Sequence, residues 1–172
     1  MLQNAVPTVT GCNQERHEMS TPKKAVLMER VAKESVEFKG HPKVRSAHPT
    51  TIEITTDDHL TDNGDCIIGI GASKGCAQLD GMVKDGLRRI GSKVTIRILV
   101  GNYSYTVTAT GDPRLGLSHP HDMVVRKSDF ISDRTLAIRA GSASRDIPRE
   151  IVYLLKNPAT VGRFEIEVAW ID

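Results

Sequence analysis

Aromatic residues, cysteines and net charge are all scarce in this sequence, and each scarcity excludes a class of protein. Aromatic side chains make up 4% of the 172 residues, so platforms on which single-stranded nucleic acid could stack are few: Tyr103 and Tyr105 on one predicted strand and Phe130 in a predicted turn. Three cysteines are too few for a disulfide scaffold, and their spacing matches no zinc pattern. A net charge of +2 does not by itself indicate a nucleic-acid partner.

Long apolar segments are also lacking. No apolar run approaches the roughly 20 residues that a membrane-spanning helix needs. The opening "MLQNAVPTVTGCNQ" lacks the basic residues and the apolar stretch of a signal peptide. We therefore expect a cytoplasmic protein without a membrane partner, and no feature of the sequence indicates a cofactor or an oligomeric state.

Strand-like runs with period-two alternation or β-branched residues fill most of the chain. Gly101 and Asn102 lie between two of them, which predicts a two-residue hairpin. Apolar residues at helical spacing predict one helix around Leu79–Ile90 and a second around 147–155, with Asp146 as its N-cap. The strand-like runs are "TTIEITT", "CIIGIGA", "KVTIRILV", "YSYTVTAT", "DMVVRK", "TLAIRA" and "RFEIEVAW".

The N-terminal part of the chain differs from the rest. Residues 1–34 are predicted to be a mobile extension, within which "KKAVLMERVAKES" could form a short helix. Residues 35–172 are long enough for a single globular domain with a hydrophobic core. The pattern as a whole predicts an α+β, β-dominated fold with antiparallel-rich, sandwich or barrel-like sheets and two helices.

Two segments of the chain align with each other. Residues 48–61 align with 119–132, residues 65–75 with 133–143, and residues 94–100 with 164–170. The alignment favours an internal duplication of a strand-strand-helix-strand unit, with pseudo-repeats over about 48–100 and 119–170. Residues 48–72 carry acidic side chains and neither Lys nor Arg, whereas residues 119–140 are rich in Arg. This divergence predicts either a composite site at the junction of the two halves or an attraction between them.

The glycine-rich stretch "GIGASKG" (69–75) resembles a phosphate-binding loop, but it matches neither the P-loop nor the dinucleotide-binding pattern. The aligned stretch "AIRAGSA" has Ala137 and Arg139 at the first two glycine positions. A structural turn is therefore the favoured interpretation, although Lys74 near a helix start could still meet an anion.

Histidines follow or precede prolines at the start of several predicted strands, at His41, His48, His119 and His121. Imidazoles suit transition metals, but no carboxylate stands at a diagnostic distance along the chain from them. Hydrogen-bonded histidines in turns are the favoured interpretation. Asp65 and Asp133 begin equivalent strands, where they could form a carboxylate pair or simply stabilise turns.

Several motifs are long and occur in a fixed order: G-H-x-x-V (40–44), H-x-T-T-x-E-I-T (48–55), L-T-x-x-G-D-C-I-I-G (60–69), R-K-S-D (126–129) and R-T-x-A-I-R-A (134–140). With these motifs, residues 36–157 resemble the archaeal family known as domain of unknown function 371. The resemblance implies an archaeal cytoplasmic protein with a β-rich sandwich and helices. It implies no activity and hence no catalytic residue.

The leading functional hypothesis is the binding of an anionic ligand, phosphate-bearing or RNA, at the junction of the two repeats, because Arg offers planar bidentate contacts to phosphate. One alternative is a small metal-dependent or hydrolytic enzyme that uses His and Asp at the same junction. A second alternative is a structural assembly component without a ligand. No metal ligand is assigned, and the predicted ligand-binding residues are His48, Thr51, Asp65, Lys74, Arg126, Asp133, Arg134 and Arg139.

Overall fold

The computed structural model describes residues 25–172, which form eight strands and two helices. A single 3-10 turn precedes each helix, at Cys76–Gln78 and Ser144–Asp146. The elements in chain order are β1 (Glu29–Lys39), β2 (Thr51–Thr55), β3 (Ile67–Gly69), α1 (Gly81–Leu87), β4 (Lys93–Val100), β5 (Tyr103–Thr110), β6 (Asp122–Arg126), β7 (Thr135–Ala137), α2 (Arg149–Leu155) and β8 (Val161–Ile171).

The strands form two four-stranded sheets. The long-strand sheet has the order β1-β8-β4-β5, and all of its neighbours are antiparallel. The short-strand sheet has the order β3-β2-β6-β7, with β2 and β6 antiparallel at its centre and a parallel strand on each side. Together with the two helices, these sheets confirm the predicted α+β, strand-dominated fold.

Side chains alternate along β4, so that one face of this strand lies in the hydrophobic core. In β4, Val94, Ile96, Ile98 and Val100 are buried while the intervening residues are partly or fully exposed, as a half-buried strand requires. Gly101 adopts a positive φ of 57° where β4 turns into β5, which confirms the predicted two-residue hairpin.

The ring of Phe38 on β1 contacts both sheets. A Cβ atom at Gly69 of the short-strand sheet would lie 2.0 Å from Phe38 Cδ2, and one at Gly162 of the long-strand sheet would lie 2.4 Å from its Cζ. Because such distances are far below van der Waals contact, both positions require glycine as long as this buried ring stays in place. Strands β3 and β8 therefore both pack closely against the Phe38 ring.

Two predictions of local structure are wrong. The segment "KKAVLMERVAKES" contributes residues to strand β1 rather than to a helix, because β1 pairs with β8 along its whole length, from Glu29 opposite Ile171 to Lys39 opposite Val161. Asp146 does not cap α2. Pro148 holds the N-cap position, and the Asp146 carboxylate accepts instead from the backbone N–H of Ala143, 2.8 Å away, in the preceding 3-10 turn.

The predicted extension overlaps the fold at its C-terminal end. Strand β1 begins at Glu29, inside the range 1–34. The rest of that range up to residue 24 lies outside the described residues, so mobility there stays a prediction.

The elements occur twice in the same order, as β1-β2-β3-α1-β4 and then β5-β6-β7-α2-β8. Each series contacts the end of the other's helix. The N–H of His41, after β1, donates to the Leu155 carbonyl at the end of α2 (2.8 Å). The N–H of Asp112, after β5, donates to the Leu87 carbonyl at the end of α1 (2.9 Å). The two series are therefore interlocked through their helix ends.

Candidate functional site

The site with the most concentrated polar chemistry lies at the centre of the short-strand sheet. Ile52 and Ile54 of β2 belong to the hydrophobic core, so the alternate residues Thr51, Glu53 and Thr55 point to the opposite face. All three are buried, at 8%, 5% and 3% relative exposure. On that face, side chains of β2, β6 and the residues just before β3 and β7 form what we call the polar cluster: Thr51, Glu53, Cys66, Asp122, Arg126 and Arg134.

Glu53 is the buried acid of the polar cluster. Its Oε2 accepts a hydrogen bond from the Cys66 thiol (3.2 Å), and its Oε1 lies 3.5 Å from Nη1 of Arg134. Burial raises the pKa of Glu53 above its ordinary value, the neighbouring Asp122 adds to the rise, and the Cys66 and Arg134 contacts oppose it. Glu53 therefore holds its proton to a higher pH than an exposed glutamate.

Cys66 is a hydrogen-bond donor and not a nucleophile. Burial and the adjacent Glu53 carboxyl raise the pKa of its thiol to about 12. A thiol with this pKa stays protonated at neutral pH and is chemically inert.

The two arginines of the polar cluster have different partners. Nη1 of Arg134 lies 3.2 Å from Oδ2 of Asp122 in addition to its contact with Glu53, so two carboxyl groups balance its charge. Arg126 instead donates from Nε to Thr135 Oγ1 (2.9 Å) and from Nη2 to Ser132 Oγ (3.3 Å), both neutral.

Arg126 forms no salt bridge with any acidic group among residues 25–172. Burial lowers the pKa of Arg126 from its ordinary value, and the positive charge of Arg134 lowers it further. The charge of Glu53 partly opposes this lowering. An arginine nonetheless remains charged at neutral pH. The polar cluster thus contains a half-buried positive charge that forms no salt bridge with a carboxylate among residues 25–172.

His48 adjoins the polar cluster through Thr51, with 3.0 Å between His48 Nδ1 and Thr51 Oγ1. The backbone N–H of Thr50 also donates to this Nδ1 (3.2 Å). His121 of the metal hypothesis has its Nδ1 2.7 Å from Thr56 Oγ1. His41 and His119 have the same arrangement as His48: Nδ1 of His41 accepts from Lys43 N–H at 3.1 Å. Nδ1 of His119 accepts from the backbone N–H of His121 at 3.2 Å and from that of Asp122 at 2.8 Å.

The bonds from backbone N–H groups assign the tautomers of His41, His48 and His119. A nitrogen that accepts from a backbone N–H carries no proton, so the proton of the neutral ring is on Nε2. A metal-binding imidazole has the reverse arrangement, with its second nitrogen donating to an acceptor. Across residues 25–172, no three His, Cys, Asp or Glu side chains are grouped so that they could hold a metal ion. The histidines stabilise the starts of loops and strands.

Lys74 and Arg139, both members of the predicted ligand site, form their salt bridges with acidic side chains outside the polar cluster. Lys74 forms a salt bridge with Glu34 of β1, whose carboxyl also accepts from the N–H of Asp80 (2.9 Å). Arg139 lies 3.7 Å from Asp129, is exposed, and has a positive φ of 52°. Both side chains were predicted to contact the same ligand as Arg126, and each has an acidic partner of its own.

The two predicted aspartates do not meet. Asp65 precedes β3 and Asp133 precedes β7, and these strands lie at opposite edges of the short-strand sheet. The Asp65 carboxylate pairs with Arg45. Asp133 has an exposed side chain, and its carbonyl accepts the N–H groups of Ser118 and His119, each at 3.1 Å. A carboxylate pair across the junction is therefore excluded.

The glycine-rich stretch 69–75 is a packing element. Gly71 has a positive φ of 56°, and a Cβ at Gly75 would lie 2.5 Å from the Pro120 carbonyl oxygen. The Ser73 N–H donates to the Glu37 carbonyl (2.9 Å). A Ser73 N–H bonded to β1 is not available to a phosphate, and helix α1 begins only at Gly81.

The sequence matches a known family over most of its length. The model of the family described as Domain of unknown function (DUF371) covers residues 36–169. The chain belongs to this family. A protein of Methanocaldococcus jannaschii, itself described as uncharacterized, is 44% identical over 121 residues, which are 70% of this chain and 89% of the relative.

The match confirms the resemblance seen in the motifs, and the archaeal relative supports an archaeal origin of this DUF371 domain. Neither comparison names a ligand or a reaction. None of the helices within residues 25–172 has the length and apolar character required to cross a membrane.

The polar cluster contains motif residues from both halves of the DUF371 domain, among them Thr51, Glu53, Arg126 and Arg134. Sequence reasoning selected Thr51 and the two arginines, but it missed Glu53 as a site residue. The signal was present: a charged residue between two isoleucines in a strand otherwise made of apolar and hydroxyl side chains indicates a buried, partnered charge. Cys66 and Asp122, also missed, carry no such signal.

Proposed function

We propose that this DUF371 domain binds a phosphate-bearing ligand at the polar cluster, with Arg126 as the principal contact. The observation that carries the proposal is the absence of any salt bridge from Arg126 to an acidic side chain among the described residues, at a half-buried position. A buried charge is costly unless it is paired. A bound phosphate would supply the missing negative charge.

The local bonding of Arg126 favours an oxyanion over other ligands. Its Nε and Nη2 are occupied by Thr135 and Ser132, which fix the plane of the guanidinium. Nη1 donates to no group among residues 25–172 and is free for a ligand oxygen. A guanidinium held in one plane loses little side-chain freedom when it binds phosphate.

Arg134 supports the same role. Glu53 and Asp122 hold its Nη1, so the guanidinium has a defined position next to Arg126. Its positive charge already lowers the pKa of Arg126. An anion between the two arginines would offset this repulsion.

We propose further that the two series of elements arose by duplication and that the two sheets form a sandwich around Phe38. The repeated element order and the reciprocal hydrogen bonds of His41 and Asp112 support this origin. On this proposal the ligand site is composite, since Thr51 and Glu53 come from one half and the arginines from the other.

Free thiols at Cys66 and Cys76 suit the reducing cytoplasm, where we propose that the protein works.

The experiment measures binding of inorganic phosphate and pyrophosphate by calorimetry at low ionic strength. Replacing Arg126 by Ala should weaken binding about 10- to 100-fold, since hydrogen bonds to charged groups contribute about 1.5–3 kcal/mol. Arg126→Lys should recover only part of this loss, because the ammonium lacks the planar fork.

Two control variants separate site binding from a change in net charge. Lys74→Ala removes a predicted ligand residue that pairs with Glu34 instead, and Arg163→Ala removes an exposed arginine whose partner is Glu165, 3.6 Å away. Both should bind phosphate as the wild type does. Equal losses in all three variants would indicate nonspecific attraction, and no binding by the wild type would favour an assembly role without a ligand.

A further inference from the structure

Phe130 is an exposed aromatic side chain fixed beside the polar cluster. It lies in the loop between β6 and β7 and is 63% exposed. Its ring centre is 5.0 Å from Cζ of Arg126, within the range of a cation–π contact. The N–H of Phe130 faces Ser128 Oγ at 3.4 Å. An arginine and not the hydrophobic core therefore sets the position of this ring.

The contact joins two binding properties at one point. The guanidinium of Arg126 offers a free Nη1 to an anion, and the phenyl ring next to it keeps most of its surface open to solvent. The guanidinium carbon and the ring centre are 5.0 Å apart. At this separation, one small molecule can place a phosphate on the Arg126 guanidinium and a planar ring against Phe130.

We propose that the phosphate-bearing ligand is a nucleotide, whose phosphate binds Arg126 and whose base stacks on Phe130. This inference rests on the proposed function and adds the chemical class of the ligand. Sugar phosphates have no planar group to stack, whereas every nucleobase has a π-face. A free mononucleotide and a nucleotide within single-stranded RNA share this chemistry.

The test compares four probes on the wild type: inorganic phosphate, AMP, adenosine and a short oligoadenylate. AMP should bind about tenfold more tightly than phosphate, because stacking of a base on an aromatic side chain contributes about 1–3 kcal/mol. Adenosine should bind more weakly than AMP, since it lacks the anion.

The decisive variant is Phe130→Ala. It should abolish the advantage of AMP over phosphate, whereas Phe130→Trp should retain the advantage. Tyr153→Ala is the matched control, since Tyr153 is 77% exposed and lies on α2, outside the polar cluster. That variant should bind AMP as the wild type does.

The outcomes separate this inference from the proposed function. Equal wild-type affinities for AMP and phosphate, or a Phe130→Ala variant that keeps the AMP advantage, would overturn the nucleotide assignment. Phosphate binding that depends on Arg126 would still support the proposed function in either case. Tighter binding of the oligonucleotide than of AMP, with a steeper dependence on salt, identifies RNA as the source; equal binding identifies a free nucleotide.

Discussion

Gly40 offers a direct test of how the two series of elements interlock. It follows β1 and lies against the end of α2, where a Cβ atom would be 2.3 Å from the Asn157 carbonyl oxygen and 2.5 Å from that of Leu155. Both neighbours are backbone atoms, so Gly40→Ala can be accommodated only if one chain segment moves. The movement would also disturb the His41 N–H to Leu155 carbonyl bond and the Gly40 N–H to Thr160 carbonyl bond, which are 2.8 and 3.0 Å long.

The expected cost of Gly40→Ala follows from these contacts. Overpacking costs about 1–3 kcal/mol, and a weakened backbone hydrogen bond costs about 1 kcal/mol. The free energy of unfolding should therefore fall by about 2–4 kcal/mol, and the melting temperature should fall by roughly 5–15 °C in a chain of this size. Urea unfolding followed by circular dichroism measures the change.

Two further glycines complete this experiment. Gly111→Ala should be about as destabilising, because its Cβ would lie 2.2 Å from the Leu87 carbonyl oxygen at the end of the other helix. Gly81→Ala is the control, since Gly81 is helical and has no atom within 4 Å of its Cβ position; it should be neutral or slightly stabilising. Equal unfolding midpoints for Gly40→Ala and Gly81→Ala would refute the reasoning.

The two remaining predictions concern the buried acid and its thiol donor. Because the folded state raises the pKa of Glu53 above 4.5, its protonated carboxyl favours folding, and this contribution is lost as pH rises through the folded pKa. Stability of Glu53→Gln relative to wild type should therefore increase as the pH of urea titrations is raised from about 4.5; a difference that is constant with pH, or that falls, would contradict this. Burial raises the thiol pKa values of Cys66 and Cys76 to about 12. Both thiols should therefore react with iodoacetamide at pH 8 far more slowly in the native protein than in urea. Peptide mass spectrometry measures the two rates. Native labelling of either at the rate of an exposed thiol would show that this account of their burial is wrong.

Local patterns in the sequence were sufficient for most of the secondary structure. Alternation in "KVTIRILV" and the Gly101-Asn102 turn depend on neighbours along the chain, and both predictions agree with β4, β5 and their hairpin. The helix predicted near residue 29 failed because that segment pairs with β8, at the far end of the chain. Strand pairing over such a separation outweighs a weak local preference for helix.

The candidate site was predictable only in part for the same reason. Arg126 and Arg134 follow from local motif content, and the structure brings them together because β6 and β7 are adjacent. The salt bridge of Lys74 with Glu34 depends on where β1 lies relative to the glycine-rich stretch, and no local pattern encodes it. The partners of a charge, more than the charge itself, decide whether it is available to a ligand.

Calorimetric titration of inorganic phosphate into the wild type, Arg126→Ala and Arg163→Ala tests the central claim most directly. The account predicts measurable binding by the wild type and by Arg163→Ala, and a loss of about 10- to 100-fold in affinity for Arg126→Ala. Wild-type affinity in the Arg126→Ala variant, with its fold intact by circular dichroism, would contradict the claim that the polar cluster is an anion-binding site.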